Sequence, residues 1–268
     1  MSDELYFFHS SFDILHFLPV LEFHNVTYTY TGHQTPALNN CSIALPKGRR
    51  IAIIGRNGSG KSTLFLHSNG ILKPQSGQIL LDGKPLNYSR KGLKQLRQTV
   101  GIIFQQASNQ LFSANVAQDI SFGPLNLGLD EAEVRDRVAE VAKLCELEGL
   151  LDRPTHALSG GQQARVALAG VLAMRPEVLL IDEPTATLDP PMRRQLFSIF
   201  DALHQNGTTL ILATHEIEIA FRWADYVVVL DQGRVLLADS AENVHKNEAL
   251  LRNIGLYEPW HTIFNTTS

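Results

Sequence analysis

The chain has 268 residues, 44% of them hydrophobic and 19% charged, which is enough apolar material for a folded core and too much for a disordered chain. The formal net charge of −4 excludes the strongly basic surface that is typical of nucleic-acid-binding domains. Two cysteines make no disulfide framework, no apolar run reaches the ~18 residues of a membrane-spanning helix, and the first Lys or Arg is Lys47, too late for a cationic leader. We expect a cytosolic globular protein without a nucleic-acid partner.

Residues 1–19 form a segment rich in apolar side chains, among them Phe7, Phe8 and Phe12. One interpretation is an N-terminal extension that packs on the core, and the other is a contact with a partner or a membrane surface. The segment has no Lys or Arg to attract anionic lipids, and the sequence leaves its role open.

Short apolar runs follow along the rest of the chain, and helix-like segments separate most of them. Asp82-Gly83, after one of these runs, predicts a tight hairpin turn. Buried strands that alternate with helices are typical of an α/β fold around a largely parallel sheet. The predicted strands span residues 20–30, 43–45, 51–54, 78–81, 100–104, 178–182, 210–213 and 226–230.

The stretch at about 114–174 has no predicted strand and is interpreted as a helical insert. Apolar side chains recur at helical spacing from Val134 to Cys145. Glu133 stands four residues before Arg137, and we interpret this charged face as solvated. The predicted organisation is an N-terminal extension at 1–19, a core domain at 20–238 that contains the insert, and a C-terminal extension at 239–268.

A glycine-rich segment after the third predicted strand fits the pattern G-x-x-x-x-G-K-[ST]. Glycines let successive backbone N–H groups turn toward a polyanion, and the start of the following helix adds positive potential. Lys61 is predicted to reach the β- and γ-phosphates of a nucleotide, and the Ser62 hydroxyl to ligate Mg²⁺. The residues of this phosphate loop are Gly55, Arg56, Asn57, Gly58, Ser59, Gly60, Lys61 and Ser62, with Thr63 next in the helix.

Two carboxylates, Asp182 and Glu183, end the apolar run at 178–182. The end of a strand places them at the carboxyl edge of the sheet, where ligands of such sheets bind. We predict that Asp182 holds the Mg²⁺ shell and that Glu183 polarises the attacking water.

A second group of small and polar residues precedes the helical run at 164–174. Its serine and glycines offer N–H donors at a helix start, which predicts a second anion site. The two predicted anion sites lie in distinct regions of the chain, which suggests a dimer in which two subunits share one ligand. The residues of this signature segment are Ser159, Gly160, Gly161 and Gln162.

Together these motifs resemble the ATP-binding subunits of ABC transporters over residues 20–238. The resemblance implies a P-loop NTPase core with a largely parallel sheet, an antiparallel β subdomain and an all-helical insert. It also implies an ATPase with ATP and Mg²⁺ as cofactors. Further roles carried over from the family are Gln105 as the sensor of Mg²⁺ and water, Asp189 as an ATP contact in trans, His215 as the γ-phosphate contact, and Tyr30, or alternatively Tyr28, as the adenine stack.

The family mechanism that the resemblance implies has two subunits closing head to tail on two ATP molecules. Each ATP is then bound by one phosphate loop and by the opposite signature segment. Because this chain spans nothing itself, the implied partners are a transmembrane coupling protein, a membrane-embedded substrate-binding subunit and a second ATPase subunit. The implied location is the cytoplasmic face of the cell membrane, and either a homodimer, which we favour, or a heterodimer is open.

Residues 109–113 and 121–128 are similar to the energy-coupling-factor branch of the family. Residues 83–93 and 255–260 resemble its cobalt and nickel members, with cobalt favoured and a vitamin-type ATPase as the closer rival. Thr187 departs from the small residue usual in the loop around Asp189. A DNA-repair ATPase is disfavoured, because too few residues separate Lys61 from Ser159 for a long coiled coil.

Overall fold

The computed structural model describes residues 18–185 and 188–256. Residues 1–17, which are all but the last two of the N-terminal segment, are therefore outside the description. Ala186, Thr187 and residues 257–268 are outside it as well. The strands are β1 (Pro19–Tyr28), β2 (Leu38–Pro46), β3 (Arg50–Ile54), β4 (Ser76–Leu81), β5 (Lys84–Pro85), β6 (Val100–Ile103), β7 (Val178–Asp182), β8 (Thr209–Thr214), β9 (Tyr226–Asp231) and β10 (Arg234–Ser240). The helices are α1 (Lys61–Ser68), α2 (Arg90–Thr99), α3 (Val116–Leu127), α4 (Glu131–Leu144), α5 (Gly160–Leu172), α6 (Pro190–Gln205), α7 (Ile217–Trp223), α8 (Ala241–Lys246) and α9 (Glu248–Asn253).

The larger sheet has six strands in the order β10-β9-β3-β8-β7-β6. Every neighbouring pair in it is parallel except β9 with β10, which are antiparallel. The expectation of a largely parallel sheet in an α/β fold is confirmed. Strand β10 was missed by the sequence analysis, because its half-buried, polar-interrupted pattern lacks the continuous apolar run of a central strand.

The smaller sheet is antiparallel and has the order β2-β1-β4-β5. Its β4–β5 hairpin turns at Asp82 and Gly83, whose φ angles are 46° and 71°. Two consecutive residues with positive φ make the turn that matches the twist of antiparallel strands. The predicted hairpin and the antiparallel β part are therefore confirmed.

Helices α3, α4 and α5 pack on one another, and the described residues between Val116 and Leu172 contain no strand. The apolar stripe from Val134 to Cys145 is buried, as predicted. The charged face is not wholly solvated, because Arg137 is only 13% exposed. Its Nη1 donates to the Ala173 carbonyl oxygen at 3.1 Å, which ties α4 to the end of α5.

Two apolar cores lie on the two faces of the six-stranded sheet. Along β3, Ile51 and Ile53 belong to the core shared with the antiparallel sheet, α1 and α2, whereas Ala52 and Ile54 belong to the core shared with the other helices. This alternation is what a strand buried on both faces requires. No helix in the described ranges is both long enough and apolar enough to cross a membrane.

Candidate functional site

The phosphate loop (residues 55–62) joins the end of β3 to the start of α1. Lys61 is the first residue of α1, and its side chain is buried under the loop. Its Nζ donates to the carbonyl oxygens of Gly55 at 2.8 Å and of Arg56 at 3.3 Å. The backbone of the loop thus surrounds the Lys61 ammonium group, whose positive charge lies where the parallel strands end.

Gly60 is the N-cap of α1 and has a φ of 110°. A Cβ at this position would lie 2.5 Å from the Ala37 carbonyl oxygen, so the loop passes too close to its neighbour for any side chain. The Ser59 hydroxyl is buried without a hydrogen-bond partner among the described residues, and Ser62 is exposed at the helix start. The Ser62 hydroxyl hydrogen-bonds the Asp182 carboxyl.

Glu183 follows β7 directly and is the centre of the site. Lys61 Nζ lies 3.4 Å from its Oε1, and His215 Nδ1 lies 2.7 Å from its Oε2. Glu183 is 8% exposed, while His215, which follows β8, is 50% exposed. Because an ionised carboxylate only accepts, His215 donates this hydrogen bond through Nδ1. The structure brings three of the predicted residues into one chain of contacts.

Asp182, the last residue of β7, lies beside the start of α1. Burial raises the pKa of its carboxyl, and the nearby Ser62 hydroxyl and the Lys61 charge oppose that rise. Its Oδ1 is buried and has no hydrogen-bond partner in the described part of the chain. A buried carboxylate with one oxygen that lacks a donor, hydrogen-bonded through the carboxyl to a serine hydroxyl, offers the oxygen ligands that a hard divalent cation such as Mg²⁺ prefers.

Tyr30 lies beside α1, and its hydroxyl is 3.2 Å from the Thr63 hydroxyl. The Tyr28 ring meets Tyr30 edge-on at 5.1 Å and His67 at 4.8 Å. Tyr28 therefore packs against both Tyr30 and His67, and the Tyr30 hydroxyl contacts Thr63, the residue that follows the phosphate loop. His67 is fully buried, with Nδ1 2.7 Å from the Thr63 carbonyl oxygen, and the sequence analysis missed it because a single histidine on α1 gives no functional signal.

Gln105 follows β6, is exposed, and makes no hydrogen bond to another described residue. No hydrogen bond between described residues joins it to Asp182 or Glu183, and its role stays a prediction. The Gln110 side chain, rather than Gln105, makes hydrogen bonds to the backbone at the end of β6. Its Oε1 accepts from the Phe104 N–H at 2.9 Å, and its Nε2 donates to the Ile102 carbonyl oxygen at 3.2 Å.

The signature segment starts α5. Ser159 is the N-cap, and its hydroxyl accepts from the Gln162 N–H while the Gln162 side chain accepts from the Ser159 N–H. This capping box satisfies two donors and leaves the N–H groups of Gly160 and Gly161 uncommitted within the described residues. Ser159 and Gly160 are exposed, and no described contact joins them to the phosphate loop of the same subunit.

Asp189 is the N-cap of α6, where its Oδ1 accepts from the Met192 N–H at 2.9 Å. Thr187 lies outside the described residues. Among the described residues no three His, Cys, Asp or Glu side chains group as a metal site. His24 pairs with Glu22 at 3.2 Å.

A polar network around Glu216 is absent from the sequence predictions. Glu216 accepts from the Thr185 hydroxyl at 2.7 Å and from Arg193 Nη1 at 3.0 Å. Arg193 Nε also donates to the Leu188 carbonyl oxygen at 3.1 Å. In the sequence, the feature that could have pointed to this network is that Glu216 directly follows His215.

The ABC transporter family matches residues 38–186 of the chain. The chain is similar to the cobalt import ATP-binding protein CbiO of Rhodobacter capsulatus, at 49% identity over 90% of this chain and 86% of that protein. It is also similar to the energy-coupling factor transporter ATP-binding protein EcfA3 of Clostridium perfringens, at 46% identity over 90% of this chain and 84% of the relative.

Solved structures of ABC transporter ATP-binding proteins are also similar to this chain. CbiO1 from Clostridium perfringens, described as part of the ABC transporter complex CbiONQ, superposes with a TM-score of 0.77 at 45% identity, over 90% of this chain and 96% of that one. The cassette MJ0796, solved as a dimer in a post-hydrolysis state with ADP and Pi, gives a TM-score of 0.75 at 30% identity, over 82% and 98% of the two chains. The chain therefore belongs to the ABC transporter family, as an ATP-hydrolysing, ATP-binding subunit of the energy-coupling-factor type.

Proposed function

We propose that this chain powers the import of a transition-metal ion, cobalt, through a transmembrane energy-coupling-factor complex. The observation that carries the proposal is the contact chain of Lys61, Glu183 and His215 at the ends of parallel strands, beside an open phosphate loop. The similarity to CbiO of Rhodobacter capsulatus supports cobalt as the substrate. Nickel and a vitamin are the alternatives, because EcfA3 carries only the general energy-coupling-factor name.

The phosphate loop, from Gly55 to Ser62 with Thr63 behind it, is proposed to bind the ATP phosphates. Lys61 is held by two backbone carbonyl oxygens, which are weaker partners for an ammonium group than phosphate oxygens are. We infer that the Lys61 side chain turns to the phosphates when ATP binds. The Tyr30 ring, supported by Tyr28, is the proposed stacking surface for adenine.

The residues that fit Mg²⁺ are Ser62 and Asp182, with Gln105 as the proposed sensor at the end of β6. The cation supplies charge compensation on the phosphates when it is bound. The hydrogen bond between the Ser62 hydroxyl and Asp182, and the Asp182 Oδ1 that has no hydrogen-bond partner among the described residues, are the basis of this assignment.

In the proposed hydrolysis step, Glu183 accepts a proton from the attacking water. Its carboxylate is buried and fixed by His215 on one oxygen, so it is oriented before the reaction begins. Lys61, once bound to phosphate, leaves the other oxygen free for the water. His215 is half-exposed and is the proposed contact to the γ-phosphate.

Head-to-tail closure with a second ATPase subunit, most simply an identical chain, completes each site. Ser159, Gly160, Gly161, Gln162 and Asp189 are the proposed contacts in trans. Ser159 and Gly160 are exposed and two N–H groups of the segment are uncommitted, which suits an anion arriving from outside the subunit.

The remaining partners are a transmembrane coupling protein and a membrane-embedded substrate-binding subunit, with this chain at the cytoplasmic face of the membrane. An exposed apolar patch supports a docked partner: Phe112 and Phe122 meet edge-on at 4.5 Å, and Leu125 lies on the same helix as Phe122. The division into 1–19, 20–238 and 239–268 is retained as part of this proposal.

Tracer uptake of cobalt and nickel in the source cells tests the proposal, comparing wild type with Glu183→Gln. Cobalt uptake is expected to fall to background while nickel uptake is unchanged. The exposed Glu177→Gln is the matched control and retains uptake. Loss of nickel uptake alone would select the nickel alternative, and unchanged uptake of both metals would contradict a metal substrate.

A further inference from the structure

Four residues form a closed ring of contacts around the proposed catalytic carboxylate. His215 binds Glu183 at 2.7 Å, and Thr185, two positions after Glu183, donates to Glu216, the residue after His215, at 2.7 Å. Two covalent segments and two hydrogen bonds thus close the ring. The ring fixes the segment that follows β7 against the segment that follows β8.

Arg193 on α6 fastens a third segment to this ring. Its Nη1 donates to Glu216 Oε2 at 3.0 Å, and its Nε donates to the Leu188 carbonyl oxygen at 3.1 Å. Both donors belong to one rigid planar guanidinium, so Leu188 and Glu216 are held at a fixed separation. Leu188 directly precedes Asp189, the proposed contact to the opposite ATP.

The burial of these groups indicates how they act. Thr185 is 2% exposed, whereas the side chains of Arg193 and Glu216 are 35% and 31% exposed. An ion pair this exposed is screened by water and adds little to folding stability. We therefore expect the Arg193–Glu216 ion pair to affect the relative positions of the three segments rather than the free energy of unfolding.

We propose that Arg193 and Glu216 are positioning residues that link the Asp189 loop of a subunit to His215 in its own catalytic site. This inference rests on the proposed function, since it takes Asp189 as a contact in trans and His215 as part of the site. His215 already binds Glu183 in the single subunit, and in the closed dimer the guanidinium keeps Glu216, and with it His215, in place while Asp189 contacts the opposite ATP.

The experiment compares Arg193→Gln, Glu216→Gln and the double variant in the purified full chain. The neighbouring Arg194→Gln is the matched control, because Arg194 is exposed on the same helix and makes no contact of this kind in the described residues. For each variant we measure kcat and KM for ATP, the unfolding midpoint, and ATP-dependent dimer closure with Glu183→Gln added.

Each single variant is expected to lower kcat about ten-fold, while closure and the KM for ATP stay within about two-fold of the control. Because both residues act through one contact, the double variant is expected to be no slower than the slower single variant. A purely structural role predicts a different result, in which closure and the unfolding midpoint fall together with kcat.

Three results would overturn the inference: a kcat for Arg193→Gln equal to that of the control, a parallel loss of closure and kcat, or single effects that multiply in the double variant. Failure of the proposed function is recognised separately. In that case the wild-type chain lacks ATP hydrolysis, or Glu183→Gln hydrolyses ATP normally, whatever the Arg193 variants do.

Discussion

Glu183 has a left-handed backbone, with a φ of 47°, at the point where β7 ends. A non-glycine residue in this region costs on the order of 1–3 kcal/mol and persists only where its surroundings hold it. Here the Glu183 N–H donates to the Ala213 carbonyl oxygen on β8, and Lys61 and His215 hold the carboxylate. The left-handed backbone thus occurs at a proposed catalytic residue, and the carboxylate of that residue faces Lys61 of the phosphate loop.

Replacing Glu183 with Gln is expected to keep the shape of the site and the contacts of one side-chain oxygen, but to remove the base. ATP binding should persist, and turnover should fall by roughly 10²–10⁴-fold, the usual contribution of a general base. Because the γ-phosphate then stays in place, an ATP-bound dimer should accumulate. Steady-state hydrolysis and sizing chromatography with ATP measure the two effects.

Glu177→Gln is the control for that experiment. It removes a carboxylate just before β7 that pairs with exposed Lys47 at 3.4 Å, and its turnover should match that of wild type. Normal hydrolysis by Glu183→Gln would contradict the role of Glu183 as the base.

At the scale of elements, helix starts show how one local pattern serves two purposes. Ser89 caps α2 by accepting from the Gly92 N–H at 3.1 Å, and Ser159 caps α5 by accepting from the Gln162 N–H at 3.3 Å. Both serines are exposed. Only the α5 start has glycines at its first two positions, so its unused N–H groups are accessible to an anion.

Ser159→Arg is expected to lose the α5 cap, lower the free energy of unfolding by about 1 kcal/mol, and place a large side chain where the partner's ATP docks. The variant should bind ATP and fail to form the closed dimer. ATP binding is measured by equilibrium titration, and closure by sizing chromatography in the Glu183→Gln background.

Ser89→Arg separates the two effects. It should lose similar stability at the α2 cap and still close on ATP, since α2 has no proposed contact in trans. Closure by Ser159→Arg, or failure of Ser89→Arg to close, would contradict a shared site.

At the scale of the whole molecule, the six-stranded sheet separates two apolar cores, and each core contains one cysteine. Cys41 lies in the core with the antiparallel sheet, and Cys145 lies in the core with the helices. Burial raises the pKa of both thiols from 9.0 to about 12. Each thiol therefore reports on one core.

Both thiols are expected to resist alkylation at pH 8 in the native protein and to react roughly 10³-fold faster or more in urea, because reaction requires opening of a core. The single variants Cys41→Ser and Cys145→Ser, followed by mass spectrometry, give the two rates separately. Labelling of a native thiol at the unfolded rate would contradict its burial.

The raised pKa values of the two thiols also make the free energy of unfolding depend on pH. The thiols stay protonated in the folded state up to about pH 12 and ionise from about pH 9 in the unfolded state. The unfolded state therefore binds fewer protons in this window, and the free energy of unfolding should decrease as pH rises through it. Urea titrations across this range measure the slope, which should be smaller in each serine variant.

The sequence by itself determined most of the strand order, the hairpin at Asp82-Gly83 and the phosphate loop, because these follow from short-range periodicity and turn chemistry. It also placed Asp182 and Glu183 at the end of a strand. The tertiary structure alone decided that Lys61 and His215 converge on Glu183, that Arg137 is an anchor between helices, and that β10 closes the sheet. These contacts join residues far apart in the chain, and packing between elements sets them.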